Sequence, residues 1–487
     1  MEKSIIIIGS GFSSLSASCY LAKAGFEITI LEKNNTIGGR ARQLKRDGFT
    51  FDIGPTWYWM PDVFERFFSD FDKTPSHYYS LEKLNPAYSV YFGKNDYITI
   101  EDTLDKILLA FEKEEEGSAK KLQKFIDVAK DNYDIAIKDL VYNPGVSPLE
   151  LVNLDTVKKI NQFFSNIKRD VRKAFKNDRL IKILEFPVLF LGAKPSDTPS
   201  FYSFMNYADF GLGTFHPKKG MYQVILAMES LAKELGVKIK TNAPVEKIIT
   251  KNKKAIGVIS KGITHLADAI LSGADYHHTE TLIEKPLKQY SESYWSKKTF
   301  APSSLLFYIG FDKKIKNVNH HTLFFDVDFD VHAEAIYDKP KWPENPLFYA
   351  SFPSITDSSC APEGYEAGIF LIPLAPGIED TEALRTLYFQ KIIKRFEHLT
   401  SQNISEHIIF KESFCLNDFI KDYNSYKGNA YGMANTLTQT AFLRPKLKSK
   451  KVANLFFTGQ LTVPGPGVPP SLISGKLVSE LIIKHNR

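Results

Sequence analysis

The residues with the clearest chemical signature form a glycine-rich run directly after Ser4–Ile8, an isoleucine-rich stretch that predicts a strand. Gly9, Gly11 and Ser14 occupy the three small-residue positions of a GxGxxG pattern, with serine in the third. Small residues there allow a tight turn, let the backbone approach a pyrophosphate and let the following helix pack on the strand. A pattern this short is weak alone, so its surroundings decide what it indicates.

The elements predicted around this run are those of a dinucleotide site. A helix is predicted over 15–24, and a second strand over 27–31 ends at Glu32. Strand, turn, helix and strand form a right-handed βαβ unit, in which phosphates lie at the helix N terminus. An acidic side chain at the end of the second strand accepts hydrogen bonds from a ribose hydroxyl, whereas a 2′-phosphate would need an arginine. We therefore predict a dinucleotide without a 2′-phosphate.

Two further segments narrow the cofactor to a flavin. Gly38-Gly39-Arg40 follows Glu32, and residues 51–56 read FDIGPT. Together with the first run, these segments resemble the N-terminal signature of the FAD-dependent amine oxidase and carotenoid desaturase superfamily, with Ser14 as the one substitution. Arg40 would be a fixed cation beside the pyrophosphate, and Gly54 would let the backbone lie close to a flat ring.

Later segments extend the resemblance over essentially the whole chain, toward the phytoene desaturase type of that superfamily. They lie at 215–221 (FHPKKGM), at 428–432 (GNAYG) with Gln439 and Arg444, and at 457–472 (FTGQLTVPGPGVPPSL). The sequence departs from that type at Lys219 and Pro470, where glycine is common, and at Gln460, where an acidic residue is common. The fold that the resemblance implies does not depend on these positions.

The resemblance implies FAD as the cofactor and assigns residues to its parts. The adenine side would meet Val245, the ribityl chain Gly459 and Gln460, and the flavin ring Val468, Pro469 and Leu472. The other residues expected to bind the cofactor are Gly467 and, from the N-terminal signature, Gly9, Ser10, Gly11, Phe12, Ser13, Ser14, Glu32, Lys33, Gly39, Arg40, Gly54, Pro55, Thr56 and Trp57. Trp57 begins an aromatic stretch that we expect to contact substrate or ring, with a packing role as the alternative.

The predicted fold is α/β, with a Rossmann-type FAD-binding domain built from discontinuous segments, an α+β substrate domain and a helical, membrane-facing part. The FAD-binding domain is predicted over 1–70, 211–290 and 416–487, the substrate-binding domain over 71–100 and 291–415, and the helical part over 101–210. Within the first of these, strands are predicted at 237–240, 243–250, 255–260 and 264–271.

Composition excludes several classes of protein. The net charge of +6 on 487 residues is too small to predict nucleic-acid binding. The three cysteines form no CxxC pair, so neither a disulfide framework nor a cysteine zinc site is expected, and no metal site is predicted. No apolar run is long enough to cross a bilayer, and the apolar N-terminal run is too short for a signal peptide. We expect a cytoplasmic protein.

The segment 158–182 carries a local excess of lysine and arginine mixed with Phe163, Phe164 and other apolar residues. That composition is typical of an interfacial helix on anionic lipids, which predicts a peripheral membrane protein that takes a hydrophobic substrate from a bilayer surface. The alternative is a solvated basic face over an ordinary core stripe.

The chemistry implied by the resemblance is desaturation, in which neighbouring carbons lose a hydride and a proton and the flavin accepts the hydride. The sequence contains one dinucleotide fingerprint, so no NAD domain is expected, and the electron acceptor would be a diffusing molecule such as oxygen or a quinone. No catalytic triad is found. Glu150 is a candidate acid or base, with a carboxylate at a helix N terminus as the favoured alternative.

The function implied is an FAD-dependent carotenoid desaturase acting on a C40 chain, either phytoene or a 1-hydroxycarotenoid that it desaturates at the 3,4 position. Members of the superfamily also isomerise or saturate polyenes, oxidise amines, or bind prenylated proteins without catalysis, and these remain alternatives because fold does not decide chemistry. The sequence does not identify the oligomeric state.

Overall fold

The computed structural model of the protein describes residues 3–151 and 154–486 and, within them, every side chain except those of residues 151 and 190. The strands are β1 Ser4–Ile8, β2 Glu27–Leu31, β3 Arg42–Arg46, β4 Phe49–Ile53, β5 Leu81–Lys83, β6 Tyr88–Gly93, β7 Asp96–Ile100, β8 Phe215–Pro217, β9 Lys238–Lys240, β10 Val245–Lys251, β11 Lys254–Ser260, β12 Ile263–Leu266, β13 Ala269–Ser272, β14 Ser303–Phe311, β15 His321–Phe324, β16 Phe348–Ser351, β17 Glu366–Leu374, β18 Ile408–Phe414 and β19 Leu455–Phe457.

The α-helices connect these strands and also form a separate helical layer between β7 and β8. They are α1 Phe12–Lys23, α2 Pro61–Ser69, α3 Leu104–Glu114, α4 Ser118–Lys138, α5 Leu154–Lys158, α6 Ile160–Phe164, α7 Ile167–Ala174, α8 Asp178–Glu185, α9 Phe204–Tyr207, α10 Tyr222–Glu234, α11 Tyr276–Thr281, α12 Glu292–Ser296, α13 Phe329–Tyr337, α14 Glu382–Thr400, α15 Leu416–Tyr423 and α16 Val468–Asn486. No helix in 3–151 or 154–486 has the length and apolarity that crossing a membrane requires.

A five-stranded parallel sheet in the order β19-β13-β1-β2-β9 positions the N-terminal glycine run. The run lies between β1 and α1, and α1 leads into β2, which pairs with β1 in parallel from Ser4 opposite Glu27 to Ile8 opposite Leu31. The predicted βαβ unit is therefore present. Because all five strands run in the same direction, their carboxyl ends meet at one edge, where ligands bind in sheets of this kind.

The isoleucine run of β1 is buried on both faces of this sheet. Ile5 and Ile7 pack in the same apolar cluster as residues of α1, α10 and α16. Ile6 and Ile8 pack on the other side, with Ile248 of the antiparallel sheet β10-β11-β12. A strand covered on both faces has no reason to alternate polar and apolar residues, which explains the uninterrupted run.

The strand predicted over 264–271 is wrong as a single element, because the structure divides it into β12 and β13. β12 pairs antiparallel with β11, whereas β13 pairs parallel with β1 in the other sheet. The break is fixed at Asp268, whose carboxylate accepts a hydrogen bond of 2.9 Å from the backbone N–H of Ser4. A change of partner sheet has no local signal in apolar periodicity, so the sequence did not reveal it.

A seven-stranded mixed sheet in the order β18-β14-β17-β16-β15-β6-β7 forms the second layer. Helix α14 packs on it through Ile392 and Phe396, which share a cluster with Phe307 and Phe370. Two short antiparallel pairs, β3 with β4 and β5 with β8, complete the strands. The predicted domain boundaries remain predictions, but the sheet shows that residues 88–100 lie with strands from 303–414.

The basic segment 158–182 buries only part of its apolar surface, because Ile160 and Phe164 are 51 and 76% exposed. Ile167 and Val171 of α7 and Leu180 of α8 are buried in the main apolar cluster. Lys168 forms an ion pair with Asp330 at 2.7 Å. The stripe from Ile167 to Leu180 is therefore part of the core, as the alternative interpretation of this segment expects. Membrane association through the exposed residues Ile160 and Phe164 stays a prediction.

Candidate functional site

One cavity of about 940 Å³ begins at the carboxyl edge of the parallel sheet and continues between the helical layer and the mixed sheet. Pockets that hold small molecules span about 300–1,000 Å³, so this one is large. Among the predicted cofactor residues, those lining it are Gly9, Ser10, Gly11, Phe12, Ser13, Glu32, Lys33, Gly39, Arg40, Gly54, Pro55, Thr56, Trp57, Val245, Gly459, Gln460, Gly467, Val468 and Pro469. The structure thus brings together segments that are far apart in the chain.

Two predicted cofactor residues, Ser14 and Leu472, lie beside the cavity instead of lining it. Ser14 is fully buried in α1, and a Cβ atom on Gly273 would lie 2.0 Å from its Oγ. The main-chain carbonyl of Leu472 accepts a hydrogen bond of 2.8 Å from Ser16 Oγ, which joins α16 to α1. Both residues therefore support the walls, and Ser14 fills the helix-packing position of the glycine pattern.

The turn between β1 and α1 has the geometry of an anion site. Gly9 has φ +87°, in the left-handed region that favours glycine. Helix α1 has Gly11 as its N-cap residue, with no side-chain cap and no acidic residue in its first turn. A Cβ atom on Gly39 would lie 3.3 Å from the Cα of Gly11, so the second glycine segment closes over this turn. The first backbone N–H groups of α1 suit a pyrophosphate.

Glu32 is buried at the end of β2 and holds the turn in place. Its Oε2 accepts hydrogen bonds from the Ser10 backbone N–H at 2.9 Å and the Ser10 Oγ at 2.7 Å, and its Oε1 accepts one from Asn34 N–H at 2.8 Å. A carboxylate offers about four acceptor sites, so acceptor capacity remains for a ribose hydroxyl. Lys33 donates instead to the main-chain carbonyl of Lys421, at 2.6 Å, and so ties the site to α15.

Arg40 is a buried cation on the cavity wall. Its Nη2 donates to Ser425 Oγ at 2.9 Å, while its Nε has no hydrogen-bond partner among the described residues. Burial lowers the pKa of Arg40 and raises that of the nearby Asp275, and each charge opposes the shift of the other. An unpartnered N–H on a buried cation suits a phosphate oxygen, and together with the α1 turn it shows that these residues fit FAD.

The segment from Gly54 to Trp57 lies where the polar and apolar parts of the cavity meet. Gly54 has φ +143°, and a Cβ atom there would lie 1.9 Å from the Arg40 carbonyl oxygen, so only glycine fits. The Trp57 ring stacks on His321, with centroids 4.0 Å apart and planes 11° apart. The Thr56 hydroxyl lies 2.9 Å from that of Tyr349. The backbone here can therefore approach a flat ring, as the resemblance implies.

The segment 457–472, called here the closing segment, is held by Arg444, which the sequence placed in the family resemblance without assigning it a role. Its buried guanidinium donates at 2.9 Å to each of the main-chain carbonyls of Gln460, Thr462 and Met433. Burial lowers its pKa to about 10. The Gln460 amide donates to Asn429 Oδ1 at 3.3 Å, so this side chain bonds within the protein. A charged group thus fixes the loop that leads into α16 at the cavity.

Glu150 serves a structural role. It lies in a short 3₁₀ turn, Pro148–Leu151, and its carboxylate accepts backbone N–H groups of Gly145, Val146 and Ser147 at 2.8, 3.0 and 3.2 Å. The structure therefore favours the carboxylate that caps a turn over the acid or base. Glu150 still lines the cavity, at the end that faces the helical layer.

A buried cluster outside the cavity contains His216, Asp357 and Cys360, whose side-chain ligand atoms lie within 4.8 Å of one another. The sequence did not indicate it, because the three residues come from distant segments. Asp357 accepts a hydrogen bond from the Lys219 backbone N–H and, at 3.0 Å, one from Ser359 N–H. His216 Nε2 lies 3.3 Å from Asp357 Oδ2. The carboxylate is thus satisfied as a cap, which explains the cluster without an ion.

Several cavity residues had no functional signal in the sequence. Asp275 and His278 follow β13, whose true position was hidden by the missed break after β12. Tyr349 and Tyr202 come from β16 and the helical layer, and only the tertiary fold brings them to the cavity. Parallel-sheet topology could have identified Asp275, because it follows a strand adjacent to β1.

Comparison with known proteins gives similarities over nearly the whole chain. Residues 12–483 match the family described as flavin containing amine oxidoreductase. The chain is 37% identical over 484 residues to carotenoid 3,4-desaturase of Haloarcula japonica, covering 99% of this chain and 98% of that protein. It is 32% identical over 496 residues to 4,4'-diapophytoene desaturase (4,4'-diaponeurosporene-forming) of Staphylococcus aureus, covering 99% and 98%. Wild-type putrescine oxidase shares the fold, with a TM-score of 0.64, 15% identity and 99% coverage of both chains.

Proposed function

The chain belongs to the flavin-containing amine oxidoreductase family as an FAD-dependent carotenoid desaturase, and we propose that it introduces C=C bonds into a C40 carotenoid. Phytoene and a 1-hydroxycarotenoid, desaturated at the 3,4 position, are the two candidate substrates. The 37% identity to a carotenoid 3,4-desaturase supports the second.

The observation that carries the proposal is the continuity of one cavity from the dinucleotide turn to an apolar chamber. Beyond Trp57 the walls are built largely from aromatic and aliphatic side chains, among them Phe186, Phe204, Phe325, Phe329 and Leu347. A polyene has no polar group for a protein to bind along most of its length, so recognition rests on apolar burial and shape. Such a chamber would hold the chain in line with the flavin end of the cavity.

The protein supplies binding, orientation and exclusion of water, since FAD supplies the capacity to accept a hydride from a C–H bond. The α1 turn and Arg40 would hold the pyrophosphate, and Glu32 the ribose. Gly54 and Pro55 would lie against the flavin ring, with Val468 and Pro469 at the N terminus of α16. A helix N terminus carries a partial positive charge, which favours the negative charge that develops when electrons arrive.

Substrate access is proposed through a bilayer surface, on an apolar face that overlaps the segment predicted from sequence at Ile160 and Phe164 and extends to residues before it. We define the exposed apolar face as Val146, Leu149, Leu154, Val157, Ile160 and Phe164, with relative exposures of 65, 76, 82, 53, 51 and 76%. Its neighbours in sequence, Gly145, Ser147, Glu150 and Phe163, line the cavity. Apolar exposure on this scale marks an interaction site, and its position beside the cavity favours the membrane that holds the substrate.

Reoxidation is proposed to use a diffusing acceptor such as oxygen or a quinone. This proposal rests on the sequence, in which one dinucleotide fingerprint is found. Anaerobic turnover with an added quinone tests the quinone as acceptor, and aerobic turnover without a quinone tests oxygen.

The test of the proposed function is anaerobic mixing of flavin-loaded protein in liposomes with phytoene or with a 1-hydroxycarotenoid. Loss of the flavin absorbance together with a red-shifted polyene spectrum is expected, and it identifies the substrate. A shifted polyene with unchanged flavin absorbance would instead indicate an isomerase. A protein that purifies without bound flavin and binds none when FAD is added would overturn the proposal.

A further inference from the structure

Tyr349 and His321 form a hydrogen-bonded pair on adjacent strands of the mixed sheet. Strands β16 and β15 are antiparallel neighbours, with Tyr349 opposite Leu323 and His321 opposite Ser351. The Tyr349 hydroxyl lies 2.7 Å from His321 Nδ1 and 2.9 Å from Thr56 Oγ1. A tyrosine hydroxyl can donate to the imidazole while it accepts from the threonine.

The pair lies at the place where desaturation would occur. Thr56 and Trp57, which follow Gly54 and Pro55 in the chain, line the cavity. Tyr349 lines it from β16 of the mixed sheet. Trp57 covers one face of His321 by stacking. The hydroxyl is therefore at the junction between the flavin end of the cavity and its apolar chamber.

Three other titratable groups that line the cavity, Glu150, Tyr202 and His332, bond to other partners. The Glu150 carboxylate is engaged by three backbone N–H groups. The Tyr202 hydroxyl lies 2.7 Å from Thr440 Oγ1. His332 Nδ1 accepts from Leu347 N–H, and its Nε2 is 2.9 Å from the Pro373 carbonyl. Several tyrosines line the cavity. Among those that the structure describes, Tyr349 is the one whose hydroxyl is hydrogen-bonded to an imidazole.

The imidazole partner is neutral and can offer a lone pair to the Tyr349 hydroxyl. His321 is fully buried, and its Nε2 has no hydrogen-bond partner among the described residues. Burial, with a smaller contribution from His216, lowers the pKa of His321 well below its ordinary value and keeps the ring neutral. In the tautomer with the proton on Nε2, the Nδ1 lone pair faces the Tyr349 hydroxyl.

We propose that Tyr349 accepts the proton released in desaturation and passes its own hydroxyl proton to His321, an inference that rests on the proposed function. The C–H bond of one carbon leaves with its electron pair as hydride, for which the flavin chemistry of the family provides the acceptor. The C–H bond of the neighbouring carbon breaks, its proton bonds to the Tyr349 oxygen, and its electron pair forms the new C=C bond. The Tyr349 O–H bond breaks in the same step, and that proton bonds to His321 Nδ1.

A pair this weakly basic is sufficient for this reaction. Loss of hydride beside a polyene leaves a positive charge that is delocalised along the conjugated chain, and such a cation makes the neighbouring C–H bond strongly acidic. General acid–base assistance by a positioned side chain contributes about 10²- to 10⁴-fold in rate. Tyr349 is therefore a catalytic residue in this proposal, and His321 is a positioning residue that acts through it.

The test compares Tyr349→Phe and His321→Asn with Tyr79→Phe, which removes a buried hydroxyl that bonds Tyr58 at 2.8 Å away from the cavity. Flavin content and the spectral shift of carotenoid bound to dithionite-reduced protein measure binding without turnover. We expect both readouts to match the wild type in all three variants. The anaerobic single-turnover rate is expected to fall at least about 100-fold in Tyr349→Phe, and to stay near the wild-type value in Tyr79→Phe.

Deuterium on each of the two reacting carbons separates proton loss from hydride loss. In Tyr349→Phe, the isotope effect at the proton-losing carbon should rise, because that step becomes slower. A Tyr349→Phe rate equal to that of Tyr79→Phe, with unchanged isotope effects, would overturn the proposal. If Tyr349→Phe does not retain flavin, His321→Asn decides, because asparagine keeps a hydrogen-bond partner for Tyr349 but cannot take its proton. A wild-type rate in His321→Asn would refute the transfer to His321, whereas a wild-type protein that desaturates no carotenoid would refute the proposed function itself.

Discussion

Arg444 Nη2 donates to the main-chain carbonyl oxygen of Gln460 at 2.9 Å. The same guanidinium bonds the carbonyl of Thr462, so two positions of the closing segment depend on one buried side chain. No carboxylate among the described residues pairs with it, and the carbonyl dipoles of the loop stabilise its charge. Arg444 therefore fixes the backbone of the closing segment at the end of the cavity where we propose that the flavin binds.

We predict that Arg444→Met destabilises the protein by roughly 3 kcal/mol or more, because it leaves several buried carbonyl oxygens without a donor. The variant should also lose flavin on gel filtration. Thermal unfolding and the ratio of flavin to protein measure the two effects. Arg169→Met removes an exposed arginine and serves as the control; equal flavin retention in both variants would contradict the prediction.

Glu32→Ala is predicted to weaken FAD binding by about 10- to 100-fold, because hydrogen bonds to a charged group contribute about 1.5–3 kcal/mol. The substitution also releases Ser10, whose N–H and hydroxyl both bond the carboxylate. Titration of flavin-free protein with FAD gives the dissociation constant. Glu27→Ala, at the exposed start of β2, should bind FAD as the wild type does, and a similar affinity in both variants would exclude Glu32 from the site.

Gly54→Ala is predicted to prevent flavin loading and to lower stability by at least about 2 kcal/mol. The added Cβ would lie 1.9 Å from the Arg40 carbonyl, so the backbone beside the predicted flavin position must move. Gly93→Ala is the matched control, since its Cβ would meet no atom closer than 3.7 Å. Flavin absorbance of the purified variants and their melting temperatures decide the outcome, and a yellow Gly54→Ala protein of normal stability would oppose it.

Asp209 makes stability depend on pH. Burial raises the pKa of this carboxyl to about 7, although hydrogen bonds from Tyr88 and Thr214 oppose the shift. The unfolded group ionises near its ordinary value, so between about pH 4 and 7 only the folded state retains the proton, and the free energy of unfolding falls as pH rises. The full effect is roughly 4 kcal/mol.

Asp209→Asn removes this dependence while keeping the shape of the protonated carboxyl. We expect the variant to gain stability relative to the wild type as the pH rises from 5 to about 8. Denaturant unfolding at several pH values measures the difference, and the exposed Glu65→Gln variant controls for a general charge effect. A constant difference across this range would show that Asp209 is not protonated in the folded state.

The exposed apolar face should govern membrane binding. We predict that serine at Leu149, Leu154 and Phe164 together lowers flotation with anionic liposomes at least about tenfold, because the three side chains are 76, 82 and 76% exposed and their burial drives docking. Serine at Ile263 and Leu266, which are 63 and 71% exposed on β12, should leave flotation unchanged.

The predicted basic contribution can be tested separately by charge reversal at Arg169 and Lys173, both of which are exposed. If charge reversal alone reduces flotation, the basic residues of segment 158–182 contribute to membrane binding, as first predicted from sequence. Normal flotation in both the apolar and the charge variants would remove the membrane from the proposal.

The parts of the fold that could be predicted are those with local signals. Local surroundings determine the residue types at β1, at the turn residues Gly9 and Gly11, and at Glu32. Pattern and spacing were therefore sufficient to predict the βαβ unit from the sequence. The predicted helix over 15–24 is present as α1, which begins slightly earlier.

The remaining features depend on pairings between distant segments. Tyr349 approaches Thr56 and His321 only because β15, β16 and the Gly54 segment meet in space. The composition of the basic segment 158–182 is that of an amphipathic helix, but the core covers its apolar residues from Ile167 onward and leaves Ile160 and Phe164 exposed. Periodicity reports which residues share a face and says nothing of what that face contacts.

The mixed sheet and the parallel sheet are both completed late in synthesis. Strands β6 and β7 emerge early from the ribosome and pair with each other, but β6 also pairs with β15, and the parallel sheet gains its last strand only with β19. Contacts this far apart in sequence slow folding and leave strand edges unpaired for longer. The cavity walls at Gly459 and Val468 are therefore among the last parts of the chain to be made. We expect chaperones that shield the early strands to raise the yield of active protein.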